Sequence, residues 1–474
     1  MGSLAVVILA AGQGKRMYSQ TPKVLHPLLG EPMLGHVLAT AAALAPQRLV
    51  VVCGHGRAEV EPYVQAWGER HAAQLPAGVR PQCLEQPTQG GTGHAVLCAQ
   101  PGWMGADEVL VLYGDVPLLT APTLQGLCAA RGERPLSLLA AELADPTGYG
   151  RVLLDDEGHI AAVVEHKDAS AAQRAVRLVN AGMMCVDATF LADALPRLRP
   201  DNAQGELYLT DLLAMAASEG RAAVAHVLAD HREALGVNNR AELAEATALL
   251  RARITRAWML QGVSLDDPAT TTIEPAVMLQ PDVQIGGGVE LRGKTQVASG
   301  ARIDRGCVLT DTIVAEHAHV LPYTVASEAI IGPAAQVGPF AHLRPGTVLE
   351  ARAKVGNFVE TKKARLGAGS KASHLSYLGD ADIGPDCNIG AGTITCNYDG
   401  VHKYKTTLGR GVFIGSDTQL VAPVTLGDGA YVGAGSTITT DVPAGALALS
   451  RSPQQVREGW VAAKRARQQA KPRS

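Results

Sequence analysis

Large aromatic side chains are scarce, at 4 % of 474 residues, which suits an interior filled by small aliphatics. A dominant charge of one sign is also missing. Lys and Arg number 42 against 45 Asp and Glu, leaving a net charge of −3 with both signs mixed. That balance argues against nucleic acid or a membrane as the main partner. No stretch approaches the roughly eighteen apolar residues of a membrane span. The eight cysteines show neither metal-ligand spacing nor a pairing pattern. The opening residues Met1 to Leu9 hold no charged leader and run directly into a predicted strand, so no signal peptide is expected. A reducing cytoplasm is the simplest setting for such a chain. At this length one core does not suffice, and two or more domains are expected.

The C-terminal half counts in sixes. Aliphatics fall at Ile273, Leu279, Ile285, Leu291, Val297, Ile303 and Leu309, resume at Ile331, Val337, Leu343, Leu349 and Val355, and resume again at Ile414. Two residues before most of them stands a small residue, such as Val283, Val289, Ala301, Cys307, Ala335 or Ala353. Positions i−2 and i share one side of a short strand, so each six predicts a strand and a turn. Hexapeptide spacing marks a parallel β-helix, here with about nine or ten coils between residues 263 and 446. The segment 396–413 interrupts the sixes, and long interruptions of a solenoid often carry function.

Residues 1–238 alternate apolar runs with helical patterns. Strands are predicted at 6–9, 48–52 and 108–112, and helices near 33–45, 92–101 and 121–131. This alternation predicts a mixed, mostly parallel, Rossmann-like α/β sheet whose strand ends carry ligand loops. One linking helix is expected over 239–262. In the first loop, Leu9-Ala10-Ala11-Gly12-Gln13-Gly14-Lys15-Arg16-Met17, small residues let backbone N–H groups approach phosphate, and Arg16 and Lys23 add charge. A tight connection is the alternative reading of such a glycine-rich turn.

This opening, with Pro22-Lys23-Val24-Leu25, resembles the sugar-nucleotide pyrophosphorylases. Further motifs narrow the likeness: Gln86 with Gly91-Thr92-Gly93-His94-Ala95, Tyr113-Gly114-Asp115-Val116-Pro117, Gly148-Tyr149-Gly150-Arg151, Glu165-His166-Lys167-Asp168, Asn180-Ala181-Gly182 and Gly236-Val237-Asn238-Asn239. Joined to a hexapeptide domain over 263–474, they closely resemble the bacterial bifunctional N-acetylglucosamine-1-phosphate uridylyltransferases and glucosamine-1-phosphate N-acetyltransferases, from about residue 5 to 460. The resemblance implies a left-handed β-helix, a homotrimer, and synthesis of UDP-N-acetylglucosamine for cell-wall precursors.

It also implies site residues. Uridylyl transfer needs in-line attack on the α-phosphorus, achieved mostly by positioning and by cations around the phosphates. Asp115 suits a Mg²⁺ carboxylate, since Mg²⁺ takes few protein ligands; a turn residue ahead of Pro117 is the plainer reading. By resemblance Asn238 is the second ligand, Arg16 and Lys23 act on the phosphates, and Leu9, Ala10, Ala11, Gly12, Tyr113 and Gly114 border the nucleotide. Gln86, Gly91 and Thr92 match base contacts, and Gly150, Glu165 and Asn180 match sugar contacts. For Glu165 a solvated charge beside His166-Lys167-Asp168 stands as the alternative. The chain departs from the family pattern at Lys15, Thr88 and Gly90.

Acetyl transfer from a thioester to an amine needs a base, and His374 is the candidate because imidazole titrates near neutral pH. By resemblance Arg344, Lys362, Tyr377, Asn388 and Lys403 bind glucosamine 1-phosphate, with Glu360 a candidate to orient His374. Ala391, Asn397, Tyr398, Ser416, Ala434 and Arg451 match coenzyme A contacts. A solvated face is the alternative for the cations. The tail from Arg451 carries seven Lys or Arg against Glu458 alone, and beyond Trp460 a solvated, frayed segment is expected. Two other functions compete: a monofunctional pyrophosphorylase with a trimerising β-helix, and a nucleotide-binding scaffold. The first should lack the basic pocket near His374, and the second should lack Asp115 with Arg16 and Lys23.

Overall fold

The computed structural model describes residues 2–202 and 204–469, which divide into two compact units, Met1–Ile254 and Thr255–Ser474. In the first unit the strands of the large sheet are β1 (Leu4–Leu9), β2 (Arg48–Cys53), β3 (Gln82–Glu85), β4 (Glu108–Tyr113), β5 (Leu136–Glu142), β6 (Arg151–Leu154), β7 (Ile160–Val164), β8 (Leu178–Asp187) and β9 (Val224–Val227). The main sheet runs β9-β5-β8-β4-β1-β2-β3. Along that path β8 alone is antiparallel to its neighbours. Val6, Ile8, Leu49, Val51, Leu110 and Leu112 enter one core, and Ala5, Val7, Val50, Val52, Val109 and Val111 enter the other. Burial on both faces explains why these strands read as continuous apolar runs rather than alternations. Helices Met33–Ala42, Thr92–Cys98 and Ala121–Arg131 occupy three of the expected stretches, and a further helix spans Arg240–Leu260.

The second unit is built of three sheets with 11, 10 and 9 strands, every pairing parallel. Until the last rung each strand pairs with the third strand along, so three strands make one coil; Ile285, Ile303, Val320 and Val337 stack in register on the first face. The small residues and aliphatics named above are buried, as the two-residue spacing requires.

The sixes do not lapse after Leu309; they shorten. The side from Leu309 to Val314 has five residues, as do Ala326 to Ile331, Thr361 to Leu366 and Leu378 to Ile383. Each turns through a non-glycine residue in the left-handed region, Asp311, Glu328, Lys363 and Asp380, at φ between 45° and 47°. Likewise the interruption ends earlier than expected. Thr406–Leu408 already pairs with Ala381–Ile383, so the coil resumes at Leu408, not at Ile414. The segment beyond Trp460, expected to be frayed, is helical over Trp460–Gln469 and exposed throughout. Lys471 and Arg473 of the basic tail lie outside the described residues.

Candidate active sites

In a mostly parallel sheet the ligand crevice lies beyond the C-terminal ends of the strands. β1 and β4 are neighbours in register, Leu9 opposite Tyr113, so the loop after Leu9 and the turn holding Asp115 share one rim. There Leu9, Ala10, Ala11, Gly12, Lys23, Gln86, Gly91, Thr92, Tyr113 and Asp115 line a cavity of about 260 Å³. Gly114 lies beneath it, its N–H donating to Leu9 O at 2.9 Å. Arg16 is exposed on the same loop and does not line the cavity.

Lys23 connects the expected metal ligands. Its ammonium pairs with Asp115 and donates to Asn238 Oδ1 at 3.1 Å. The two oxygens therefore converge on one cationic position, a hard donor set with room for water that fits a divalent ion. Asn238 is held from behind: Glu242 accepts its backbone N–H at 2.6 Å while Asn239 Oδ1 caps the following helix. Val237 N–H donates to Asp115 O at 2.9 Å, tying the two ligand segments together. Burial, then the charge of Asp115, pushes the Tyr113 phenol up to about 12, so it stays protonated and able to donate.

The sugar-side residues meet at a three-strand corner. β6 and β7 pair Arg151 with Val164, which puts Gly150 and Glu165 side by side at the open end of that hairpin. Val179 of β8 pairs Arg151, and Asn180 N–H donates to Gly150 O at 2.9 Å. Glu165 and Asn180 line a second cavity of about 480 Å³ that shares Thr92 and Tyr113 with the first. A side chain at Gly182, where φ is 93°, would collide with the Tyr113 ring, which explains glycine after Asn180-Ala181. The motifs above did not point to Asn202, Gln204 or Gln89. The first two line the sugar-side cavity, and Gln89 Nε2 donates to Ala11 O at 3.2 Å across the first. They sit on irregular loops that no periodicity marks.

In the second unit His374 ends a first-face strand, in register with Asn357 one rung earlier. Its Nδ1 lies 2.8 Å from Asn357 Oδ1. Glu360 does not orient it. That carboxylate accepts from Arg344 at 2.8 Å on the second face. The bond to Asn357 places the proton on Nδ1 and leaves Nε2 as the basic nitrogen.

The cations gather on the second face. Arg344 and Lys362 each follow a core residue of that face, one rung apart. Lys403 arrives on the inserted hairpin, closed by the Tyr398–Lys403 bridge and by Asp399 Oδ1, which accepts from Val401 and His402. Lys403, then Arg344, depresses the Lys362 pKa. Three cations so close together suit an anionic group such as a phosphate. Tyr377 leans over Gly379, where any Cβ would meet its hydroxyl. Asn388 stands on the first face, between Lys371 and Phe413.

Four of the expected coenzyme A contacts form one column with His374. Ala391, Ser416 and Ala434 each follow the first-face core residue by two positions, as His374 follows Ala372, on successive rungs. Arg451 Nη1 donates to Ala434 O at 2.8 Å, at the far end. Small side chains there leave an open strip running away from the imidazole. Asn397 and Tyr398 belong to the insertion after the second face, off this column. Asn397 is buried against Asp380 at 2.5 Å, and Tyr398 is exposed.

Residues 6–263 match the model of a MobA-like NTP transferase domain, and residues 405–440 match six repeats of the bacterial transferase hexapeptide. The chain is 50 % identical over 468 residues to the bifunctional protein GlmU of Sorangium cellulosum (strain So ce56), covering 98 % of this chain and 97 % of that one. It is 50 % identical over 458 residues to the bifunctional protein GlmU of Stutzerimonas stutzeri (strain A1501), covering 97 % and 98 %. The bifunctional protein GlmU of Pelobacter propionicus is 47 % identical over 463 residues, with the same coverage.

Proposed function

The chain belongs to the bifunctional GlmU family, and on that premise we propose how its residues divide the work of making UDP-N-acetylglucosamine. The hexapeptide unit transfers acetyl from acetyl-CoA to glucosamine 1-phosphate. The nucleotidyltransferase unit joins the product to the uridylyl group of UTP and releases pyrophosphate. The observation that carries this reading is that each unit holds its own set of reacting groups, Lys23 with Asp115 and Asn238 in one and His374 with Asn357 in the other.

In the first reaction Nε2 of His374 accepts the proton that the glucosamine amine releases as it attacks the thioester. Arg344, Lys362 and Lys403 hold the sugar phosphate, with Tyr377 and Asn388 at the sugar. The strip of Ala391, Ser416 and Ala434, ended by Arg451, seats coenzyme A. In the second reaction the family requires a divalent metal, and magnesium suits the Asp115 and Asn238 oxygens. When bound it neutralises charge on the triphosphate. Lys23 and Arg16 hold phosphate oxygens, Gln86, Gly91 and Thr92 hold the base, and Gly150, Glu165 and Asn180 hold the sugar.

The working unit we propose is a homotrimer in which exposed Tyr398 of one copy completes the coenzyme A strip of another, with Asn397 holding the hairpin behind it through Asp380. Support comes from the corner beside the His374 column. Tyr323, Phe340 and Phe358 stack there in sequence, each about half exposed and each in the left-handed backbone region, followed by exposed Leu375. A contiguous row of exposed apolar side chains supports a surface that another chain covers. The cytoplasmic setting is supported by eight cysteines, all free.

The deciding experiment supplies protein with acetyl-CoA, glucosamine 1-phosphate, UTP and Mg²⁺ and follows free thiol and pyrophosphate separately. His374→Ala is expected to lower thiol release by about 10²–10⁴-fold and spare uridylyl transfer from supplied N-acetylglucosamine 1-phosphate. Asp115→Ala is expected to lower pyrophosphate release at least about hundredfold and spare thiol release. If the unaltered protein releases pyrophosphate from UTP and supplied N-acetylglucosamine 1-phosphate but no thiol from acetyl-CoA and glucosamine 1-phosphate, the result points instead to the monofunctional pyrophosphorylase.

A further inference from the structure

Gln86 is almost fully buried at the rim of the nucleotide cavity, and its carboxamide has a fixed polarity. Nε2 donates to Gly91 O at 3.0 Å and lies 3.2 Å from Nδ1 of His94. An amide nitrogen offers two protons and no lone pair. The carbonyl takes one, so Nδ1 accepts the other and the His94 proton sits on Nε2. That nitrogen faces Cys98 Sγ at 3.6 Å, one helical turn on along Thr92–Cys98. Both amide protons are thereby engaged, and Oε1 is the group left to meet a ligand. Gly90, one of the departures from the family pattern, makes room for this ring: a Cβ there would come within 2.9 Å of His94 Cγ and Nδ1.

We infer that His94 is a positioning residue for base selection, holding the Gln86 carboxamide so that its oxygen faces the cavity. The inference rests on the reading of Gln86 as the base contact. An acceptor at that point takes a pyrimidine whose edge donates an N3–H, which uracil and thymine do. Cytosine presents a lone pair at N3, so it would oppose acceptor to acceptor in a partly desolvated site. A site built around one hydrogen-bond polarity rejects the mismatched partner more strongly than a merely shaped pocket does.

The test compares kcat/KM for UTP and CTP in the unaltered protein, His94→Phe, His94→Gln and Gln86→Leu, reading pyrophosphate release with N-acetylglucosamine 1-phosphate. Thermal unfolding of the nucleotidyltransferase unit checks that each variant is folded. His94→Phe keeps ring bulk but removes the acceptor, freeing the amide to turn. Its UTP-over-CTP preference is expected to fall at least about tenfold, mainly through KM for UTP. His94→Gln restores an acceptor and is expected to recover much of the preference. His94→Leu, which also lacks an acceptor, is expected to act like His94→Phe and serves if that variant is unstable. Equal losses with both nucleotides in His94→Phe and His94→Leu overturn the inference, as does an unchanged preference. If Gln86→Leu also keeps the preference, the reading of Gln86 as base contact fails. If Gln86→Leu loses it while His94→Phe does not, only the role of His94 fails.

Discussion

A histidine acts as a base through one nitrogen only when something fixes its other nitrogen. At position 374 that partner is a neutral amide, so it orients the ring without adding charge. Asn357→Ala is expected to lower kcat for acetyl transfer about tenfold with little change in either KM. Asn357→Asp keeps an acceptor but adds a negative charge, which favours the imidazolium. Its acetyl-transfer profile is therefore expected to lose activity at higher pH on the acid side than the unaltered protein does. Rate measurements across pH distinguish this from a folding defect, which would lower the whole curve without moving its limb. Residue type and setting singled out His374, but its partner was not legible. Glu360 and Asn357 are both polar neighbours in sequence, and only the rung register separates them.

At the scale of elements, the inserted hairpin and the corner strip have separate consequences. The hairpin exists to bring Lys403 back beside Lys362 and Arg344. Because Lys403 is the first cause of the depressed Lys362 pKa, the unliganded cluster loses positive charge at a lower pH than a free lysine does. Affinity for a sugar phosphate then weakens as pH rises through that lowered value. Lys403→Met is expected to raise KM for glucosamine 1-phosphate about tenfold and to move the remaining loss to higher pH, as Lys362 is relieved of its neighbour. KM for acetyl-CoA is expected to stay constant, and initial rates at two pH values check both statements. The strip is tested by bulk. Ala391→Leu places a branched side chain on the rung after His374 and is expected to raise KM for acetyl-CoA at least about tenfold, with KM for glucosamine 1-phosphate much less affected.

The whole molecule carries two reactions on units that pack their own cores, so loss of one activity need not disturb the other. Assembly is where the proposed trimer enters. Phe358→Glu puts a charge at the end of the aromatic stack, beside Leu375, and burying it against a second copy is costly. Sedimentation is expected to show a smaller species, with acetyl transfer greatly reduced and uridylyl transfer retained. A variant of unchanged mass and full acetyl transfer removes this corner as the interface.

Much of this protein was settled by its order of residues. Apolar runs buried on both faces dictated the parallel sheet, and an aliphatic every sixth residue dictated three-sided coils. The glycine-rich turn after Leu9 and the carboxylate after Tyr113 were legible because strand ends in such a sheet converge. Tertiary structure decided the rest. The five-residue sides at Asp311, Glu328, Lys363 and Asp380 drop one residue from the turn while keeping the strand pairing, which a fixed count of six does not register, so the repeat seemed to stop where it only tightened. The return of the coil at Leu408, the partner of His374 and the direction of the Gln86 amide depend on which groups meet across rungs and loops. Spacing assigns a side chain to a face; the choice among several donors and acceptors on that face is made by three-dimensional contact.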